Sequence, residues 1–316
     1  MERNLALELV RVTEAAALAS SRWMGKGSGV EADRAACEAM AIAIKSVKIK
    51  GTIVIGERDP NHELSKGKIV GEGDRPEVDV ALDPLECIDS VAMGRSNAIS
   101  VIAVARKGGF FDAPVDYMDK IAVGPEAAGR IDINASPLEN LVNIADAKRT
   151  YVEDLTVSIL NRERHAELIE KVRATGARIQ LIKHGDIAAA MAAAIAGSGV
   201  DVLMGAGGAD EGVLSAAALK CVGGDFQGRF IALDEKEEAA LGRRNLSKTD
   251  VLGMDDLLTG ETLMFAATGV TRSDILRGVQ YRHGGAVTHS VVMRLKSGTV
   301  RFIEANHSFD RKPNYS

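Results

Sequence analysis

The sequence predicts an α/β protein, α+β in its first half and α/β in its second. Three observations carry this. An amino-terminal stretch has apolar residues at helical spacing, the middle of the chain alternates short apolar strands with helical segments, and two adjacent strand-like runs close the sequence. Few aromatics and abundant alanine and glycine suit helices packed closely on sheets.

Leu5, Leu9, Val12, Ala16 and Ala19 mark the first helix, with Asn4 placed to cap it. A second helix is expected through EADRAACEAMAIAIKSV, followed by the strand GTIVIGE. After a polar segment over 58–76, EVDVALDP alternates as a half-buried strand, and NAISVIAVA is apolar enough to be central. From about residue 150 the strands DLTVSIL, ARIQLI and VDVLMG alternate with the helical stretches RERHAELIEKVRATG and DIAAAMAAAIAG, which predicts a parallel or mixed sheet. AVTHSVVMRLKSGTVRFIEA reads as two strands joined at LKSG. A soft boundary near residue 150 divides the chain into an α+β half, 1–150, and an α/β half, 151–316.

Composition removes several function classes. A net charge of −5 without a basic stripe speaks against nucleic-acid binding. Cys37, Cys87 and Cys221 lie far apart, which argues against a disulfide framework and a structural zinc site. The charged amino terminus does not read as a signal peptide, and no uncharged stretch is long enough to span a membrane. The expected setting is cytoplasmic.

Chemistry concentrates at strand ends. In DPLE, Asp83 and Glu86 lie three positions apart where a strand finishes, and Pro84 fixes the turn. Asp33 sits in the helical VEADRAA, Glu57 ends GTIVIGE, and Glu211 follows the glycine-rich GAGGADEG. Each acid taken singly reads as a surface charge or a helix cap. Together, several oxygen ligands without histidine or cysteine suit Mg²⁺ or Mn²⁺. GAGGADEG is either a βα turn that admits an anion at a helix start or simply a tight turn. NRERH, Asn161 to His165, offers two arginines for a phosphate clamp or, equally, solvated charges in a first helical turn. His165 and His184 read as structural or exposed.

In order, RNLALELVRVTEAAALAS, ADRAA, GTIVIGE, VDVALDPLE, YMDKIAVGPEAAGRIDIN, NRERH, RATGARIQLI, the glycine-rich turn, GETLMFAATGVT and GGAVTHSVVMR resemble the class II fructose-1,6-bisphosphatases of the lithium-sensitive phosphatase superfamily. The resemblance implies a layered αβαβα fold and Mn²⁺- or Mg²⁺-dependent hydrolysis of the 1-phosphate of fructose 1,6-bisphosphate in gluconeogenesis. It implies metal ligands at Asp33, Glu57, Asp83, Glu86 and Glu211, of which Glu57, Asp83 and Glu86 take part in catalysis. Substrate contacts fall on Glu86, Cys87, Ile88, Tyr117, Arg162, Glu163, Arg164, His184, Gly185, Asp186 and Gly208. The partner is a small sugar bisphosphate, with neither nucleic acid nor membrane, and the chain is expected to be a homo-oligomer.

Three places depart from the family pattern. Cys87-Ile88 stand where glycine and threonine are usual, and the threonine hydroxyl is the group expected to orient the attacking water. Asp59 is a short stand-in for a second glutamate after Glu57, and His184-Gly185-Asp186 replaces Asp-Gly-Asp. An impaired relative that binds metal and sugar phosphate is therefore the alternative to an active phosphatase.

Overall fold

The computed structural model describes residues 4–311. Arg3, which opens the family-like stretch, and the end of the expected second half from Lys312 lie outside the described residues. The first 110 residues contain α1 (Leu5–Ser21), α2 (Gly29–Lys45), β1 (Lys50–Ile55), β2 (Ile69–Val70), β3 (Glu77–Glu86), α3 (Ile88–Ala92) and β4 (Ile99–Arg106). The middle of the chain adds β5 (Tyr117–Val123), α4 (Pro137–Lys148), β6 (Thr156–Leu160), α5 (Ala166–Ala174), β7 (Arg178–Ile182), α6 (Asp186–Ala194) and β8 (Val202–Gly208). It continues with α7 (Ala209–Val222), β9 (Asp225–Ile231), α8 (Glu235–Arg243), β10 (Leu252–Gly253) and α9 (Met254–Leu257). The chain then returns with β11 (Leu263–Gly269), β12 (Gln280–Arg282), β13 (Gly285–Arg294) and β14 (Thr299–Ser308).

Two compact units result, one built from both ends of the chain up to residue 110 and from 260 onward, the other from 111–259. Their borders differ from the expected one near residue 150, which falls between α4 and β6 inside the second unit. The reason is strand pairing. β11 inserts antiparallel beside β4 over Leu263–Gly269, and β13 and β14 extend the sheet from there.

In the first unit, an eight-stranded sheet runs β12-β13-β11-β4-β3-β1-β2, with β14 on β13. Among the described residues, β1 and β3 are the only parallel neighbours in this sheet. α1 and α2 pack on each other, α1 against β11, β13 and β4, and α2 against β3. Leu9, Val12 and Ala16 of α1 and Ala32, Ala36, Met40 and Ile44 of α2 enter one core with Val80, Leu82, Ile102 and Val104. Burying an aliphatic side chain of this size contributes about 1.5–3 kcal/mol each. Asn4 does precede α1, but its side chain makes no capping hydrogen bond, and its backbone is already helical. β3, expected to be half-buried, is buried at eight of its ten residues, so both its faces are covered.

In the second unit, the sheet order is β10-β9-β5-β8-β6-β7. β6 runs parallel to both β7 and β8, while β5, β9 and β10 run antiparallel to their neighbours, making the mixed sheet that strand–helix alternation predicts. Ile121 and Val123 of β5 share a core with Leu141 and Ile144 of α4 and Ile169 and Val172 of α5. The alternate residues Met118 and Lys120 lie against Gly212 of α7. Helices therefore cover both faces of this sheet.

Candidate active site

The first unit gathers acids by parallel strand geometry. β1 and β3 are in register with Ile55 opposite Ala81, so Glu57, two residues past Ile55, reaches the level of Asp83. Glu57 is held there by donating its backbone N–H to Leu64 O (3.0 Å) and by a bridge to Ser65. The ladder between β3 and β4 slips between Asp83 and Glu86, which frees this corner from regular pairing. Asp83 Oδ1 accepts the Leu85 N–H (3.0 Å), and Glu86 is buried at 5% exposure.

α2 supplies the facing side. Its start is capped by Ser28, whose hydroxyl accepts the Glu31 N–H (3.4 Å). Asp33 and Cys37, one turn apart, share a helix face. One ligand atom each from Asp33, Cys37 and Glu57 lies within 4.8 Å of the other two. The Cys37 thiol contacts Asp33 Oδ1 at 4.0 Å. Burial, and next the Glu57 carboxylate, push the Asp33 pKa up to about 6. Burial raises the Cys37 thiol as well, helped by the charges of Glu57, Asp33 and Asp83, so Asp83 faces the same cluster. Carboxylates crowded this way are destabilised until a cation or a proton joins them, and an oxygen-rich donor set fits Mg²⁺ or Mn²⁺. Asp59 Oδ1 accepts the Asn61 N–H (2.9 Å) and closes an exposed turn.

Cys87 has φ +72° and ψ +51°, the left-handed region in which glycine is the unstrained residue. The loop thus keeps a backbone shape suited to glycine although cysteine occupies it. Ile88 Cγ2 packs over Gly29 at the start of α2, where a side chain would collide with it. A left-handed non-glycine residue costs about 1–2 kcal/mol, partly offset in a glycine variant by the greater entropy of its unfolded chain, about 0.5–1 kcal/mol. Cys87→Gly should therefore stabilise the protein by roughly 0.5–1 kcal/mol. The urea midpoint measures this, and a lower midpoint would show that the Cys87 side chain contributes more by packing than it costs in strain.

The second unit assembles its residues at the carboxyl ends of parallel strands, the position where open α/β sheets bind ligands. Arg162 and Arg164 follow β6, His184, Gly185 and Asp186 follow β7, and Gly208 ends β8 with Glu211 just after it. Arg162 Nη2 donates to His184 Nδ1 (3.1 Å), which joins the first two loops. Arg164 donates to Ala206 O from Nη2 (2.8 Å) and lies 5.8 Å over the Tyr117 ring. One edge of its guanidinium is thus committed to the fold. Glu163 is exposed. His165 is structural: Nε2 accepts the Ala206 N–H (2.8 Å) and Nδ1 donates to Leu160 O (2.7 Å), and burial lowers its pKa.

Lys120 was not among the expected residues. It is 2% exposed, its ammonium pairs with Asp186, and it donates to Gly208 O (2.9 Å). Glu211 is folded back over Gly208, where a Cβ would collide with its carboxylate. Burial and then Asp186 raise the Glu211 pKa, while Lys120 holds it down. The sequence carried a signal for Lys120: in YMDKIAV it occupies the same alternation class as Met118 and Ala122, a charge on an inward face. Cys37 carried one too, four residues after Asp33.

Comparisons with known proteins give the family. The family described as "Bacterial fructose-1,6-bisphosphatase, glpX-encoded" matches residues 3–307. The chain belongs to that family. A relative from Microcystis aeruginosa is 42% identical over 100% of this chain and 99% of its own length, and one from Crocosphaera subtropica is 40% identical with the same coverage. One from Synechococcus sp. is 41% identical over 98% of this chain and 97% of its own. All three are named D-fructose 1,6-bisphosphatase class 2/sedoheptulose 1,7-bisphosphatase. As a member of the glpX-encoded family, the protein is a phosphoric monoester hydrolase of the fructose-bisphosphatase kind. Among the described residues no helix is long and apolar enough to cross a membrane.

Proposed function

We propose that this protein hydrolyses the 1-phosphate of fructose 1,6-bisphosphate with Mn²⁺ or Mg²⁺, in cytoplasmic gluconeogenesis, and accepts sedoheptulose 1,7-bisphosphate as a second substrate. The observation that carries the metal dependence is the crowded Asp33–Glu57 pair, with Asp83 beside it and the Asp33 pKa pushed up to about 6. Asp33, Glu57, Asp83 and Glu86 hold the cation, and for Glu211 a ligand role rests on the resemblance alone. Bound there, the cation supplies charge neutralisation and a more acidic water. The remaining work falls to the chain. Arg162 and Arg164 bind the distal phosphate, with Tyr117 and Ala206 fixing the Arg164 guanidinium. Asp186, held by Lys120, orients sugar hydroxyls, and the backbone at Gly208 lets the substrate approach. The names of the relatives support the second substrate. The glycine-like backbone at Cys87 supports a working loop over an impaired one.

The test is phosphate release from a panel of sugar phosphates with Mn²⁺, Mg²⁺ and chelator. The two bisphosphates should be preferred, with no turnover in chelator. Arg164→Ala should raise the bisphosphate KM while leaving Mn²⁺ affinity alone. Indifference to chelator, or equal loss of both affinities in Arg164→Ala, would defeat the proposal.

A pH dependence follows from Asp33. Its folded pKa lies above the unfolded value of 3.8, so the folded protein binds more protons between pH 3.8 and about 6. Its stabilising contribution is complete below pH 3.8 and is lost as pH rises through about 6. With its partial exposure allowed for, the loss is on the order of 1 kcal/mol. Urea midpoints of chelated wild type, compared with Asp33→Asn, should show the wild type falling behind across that window. Added Mn²⁺ should restore it.

A further inference from the structure

Cys37 brings sulfur to a group of oxygens. It stands at 3% exposure on the α2 face that carries Asp33, and its thiol has Asp33 Oδ1 at 4.0 Å. We propose that Asp33, Cys37 and Glu57 form a site for a thiophilic divalent cation, zinc or cadmium, which binds through the Cys37 thiolate and displaces the Mn²⁺ or Mg²⁺ held there. The inference rests on the reading that Asp33 and Glu57 hold the catalytic cation.

The three ligand atoms lie close enough for side-chain adjustment to bring them onto one cation. Zinc–sulfur and zinc–oxygen bonds of about 2.3 and 2.0 Å at a tetrahedral angle place sulfur and oxygen about 3.5 Å apart. The Asp33–Cys37 contact at 4.0 Å must therefore close by about 0.5 Å, and no ligand atom of the three lies beyond 4.8 Å from another. Three protein ligands leave a fourth position for water or a phosphate oxygen, the arrangement of open zinc sites. One metal–sulfur bond forms as the thiol proton passes to bulk water, and no redox change is involved. Selectivity follows from ligand softness and from the order of divalent affinities: a thiolate adds far more to zinc or cadmium than to manganese or magnesium. Packing alone does not call for sulfur at this position, since an aliphatic side chain of similar volume would fill the same buried space. The sulfur is thus the one feature of Cys37 that the core does not need, and it points into the cation site.

The experiment titrates the full-length, metal-free protein with Cd²⁺ and follows the ultraviolet thiolate-to-cadmium charge-transfer band, with Mn²⁺ binding followed by electron paramagnetic resonance. Wild type should develop the band and release bound Mn²⁺ as it does. Cys37→Val, chosen to preserve packing, should lose the Cys37 contribution to the band. Its Cd²⁺ affinity should fall by at least the roughly 10–100-fold that losing an outer-shell partner costs a metal site, while its Mn²⁺ affinity moves far less. Cys37→Ser, checked for folding by circular dichroism, should behave alike if the valine variant is unstable. A band and Cd²⁺ affinity unchanged in both variants would overturn the inference, and Mn²⁺ loss in Asp33→Asn would then leave the phosphatase reading standing. Mn²⁺ binding indifferent to Asp33→Asn would instead remove this set as the catalytic cation site, and the displacement with it.

Discussion

Lys120→Met is expected to cost about 3–5 kcal/mol of stability, the range for removing one partner of a buried ion pair. Lys120 is 2% exposed, and its ammonium is the cation beside Asp186 and a donor to Gly208 O. Methionine fills much of the same space, so the loss is electrostatic more than a matter of volume. It leaves Asp186 beside Glu211, whose carboxyl is already raised by burial and by Asp186 itself. Urea unfolding of wild type and variant measures the difference, which should shrink at lower pH, where the raised Glu211 carboxyl takes up a proton. Adding Asp186→Asn should recover part of the loss, because the pair is coupled through direct contact. A cost below about 1 kcal/mol would mean that water reaches this pair and screens it.

Glu57→Gln is expected to lower kcat by roughly 10³-fold or more, since a metal's stabilisation of transition-state charge is worth several kcal/mol. Glutamine keeps the length of the side chain and leaves the backbone contact from Glu57 N–H to Leu64 O untouched. The fold should therefore persist, with a thermal midpoint near that of wild type. Mn²⁺ affinity should fall with kcat, and the Asp33 pKa should move down from about 6, because Glu57 is the second cause of its rise. A variant with normal Mn²⁺ affinity would remove Glu57 from the ligand set. Normal affinity with low kcat would give it a role in proton transfer instead.

Much of this molecule was legible because the relevant physics is local. The alternation of DLTVSIL, ARIQLI and VDVLMG with helical stretches appears as β6, β7 and β8 with α5 and α6 between them. The turn at LKSG joins β13 to β14 as read. Asp83 and Glu86 read as a strand end with a turn at Pro84, but β3 continues through Pro84 to Glu86: the proline only interrupts the pairing with β4 there, and the chain turns at Cys87. Asn4 was misread because a side chain able to cap need not do so when its backbone has already turned helical. β3 is more buried than its alternation suggested, because helices on one side and a covered second face use both sets of its residues.

The sequence by itself determined the α/β class, the order of the elements, the acids at the ends of β1 and β3, and the arginines after β6. Each depends on residues within a turn or two of one another, so neighbouring side chains and backbone preferences suffice. Tertiary structure decided the rest. β11, β13 and β14 complete a sheet begun more than 150 residues earlier, which makes 111–259 an insertion within one unit rather than the start of a second half. The sides of α2 and β5 that face inward depend on their partners, so only packing shows that Cys37 joins Asp33 and Glu57, or that Lys120 is the buried cation beside Asp186. Periodicity can say that one face of an element is buried. What that face meets depends on contacts between residues far apart in the chain, and these carry no local signature.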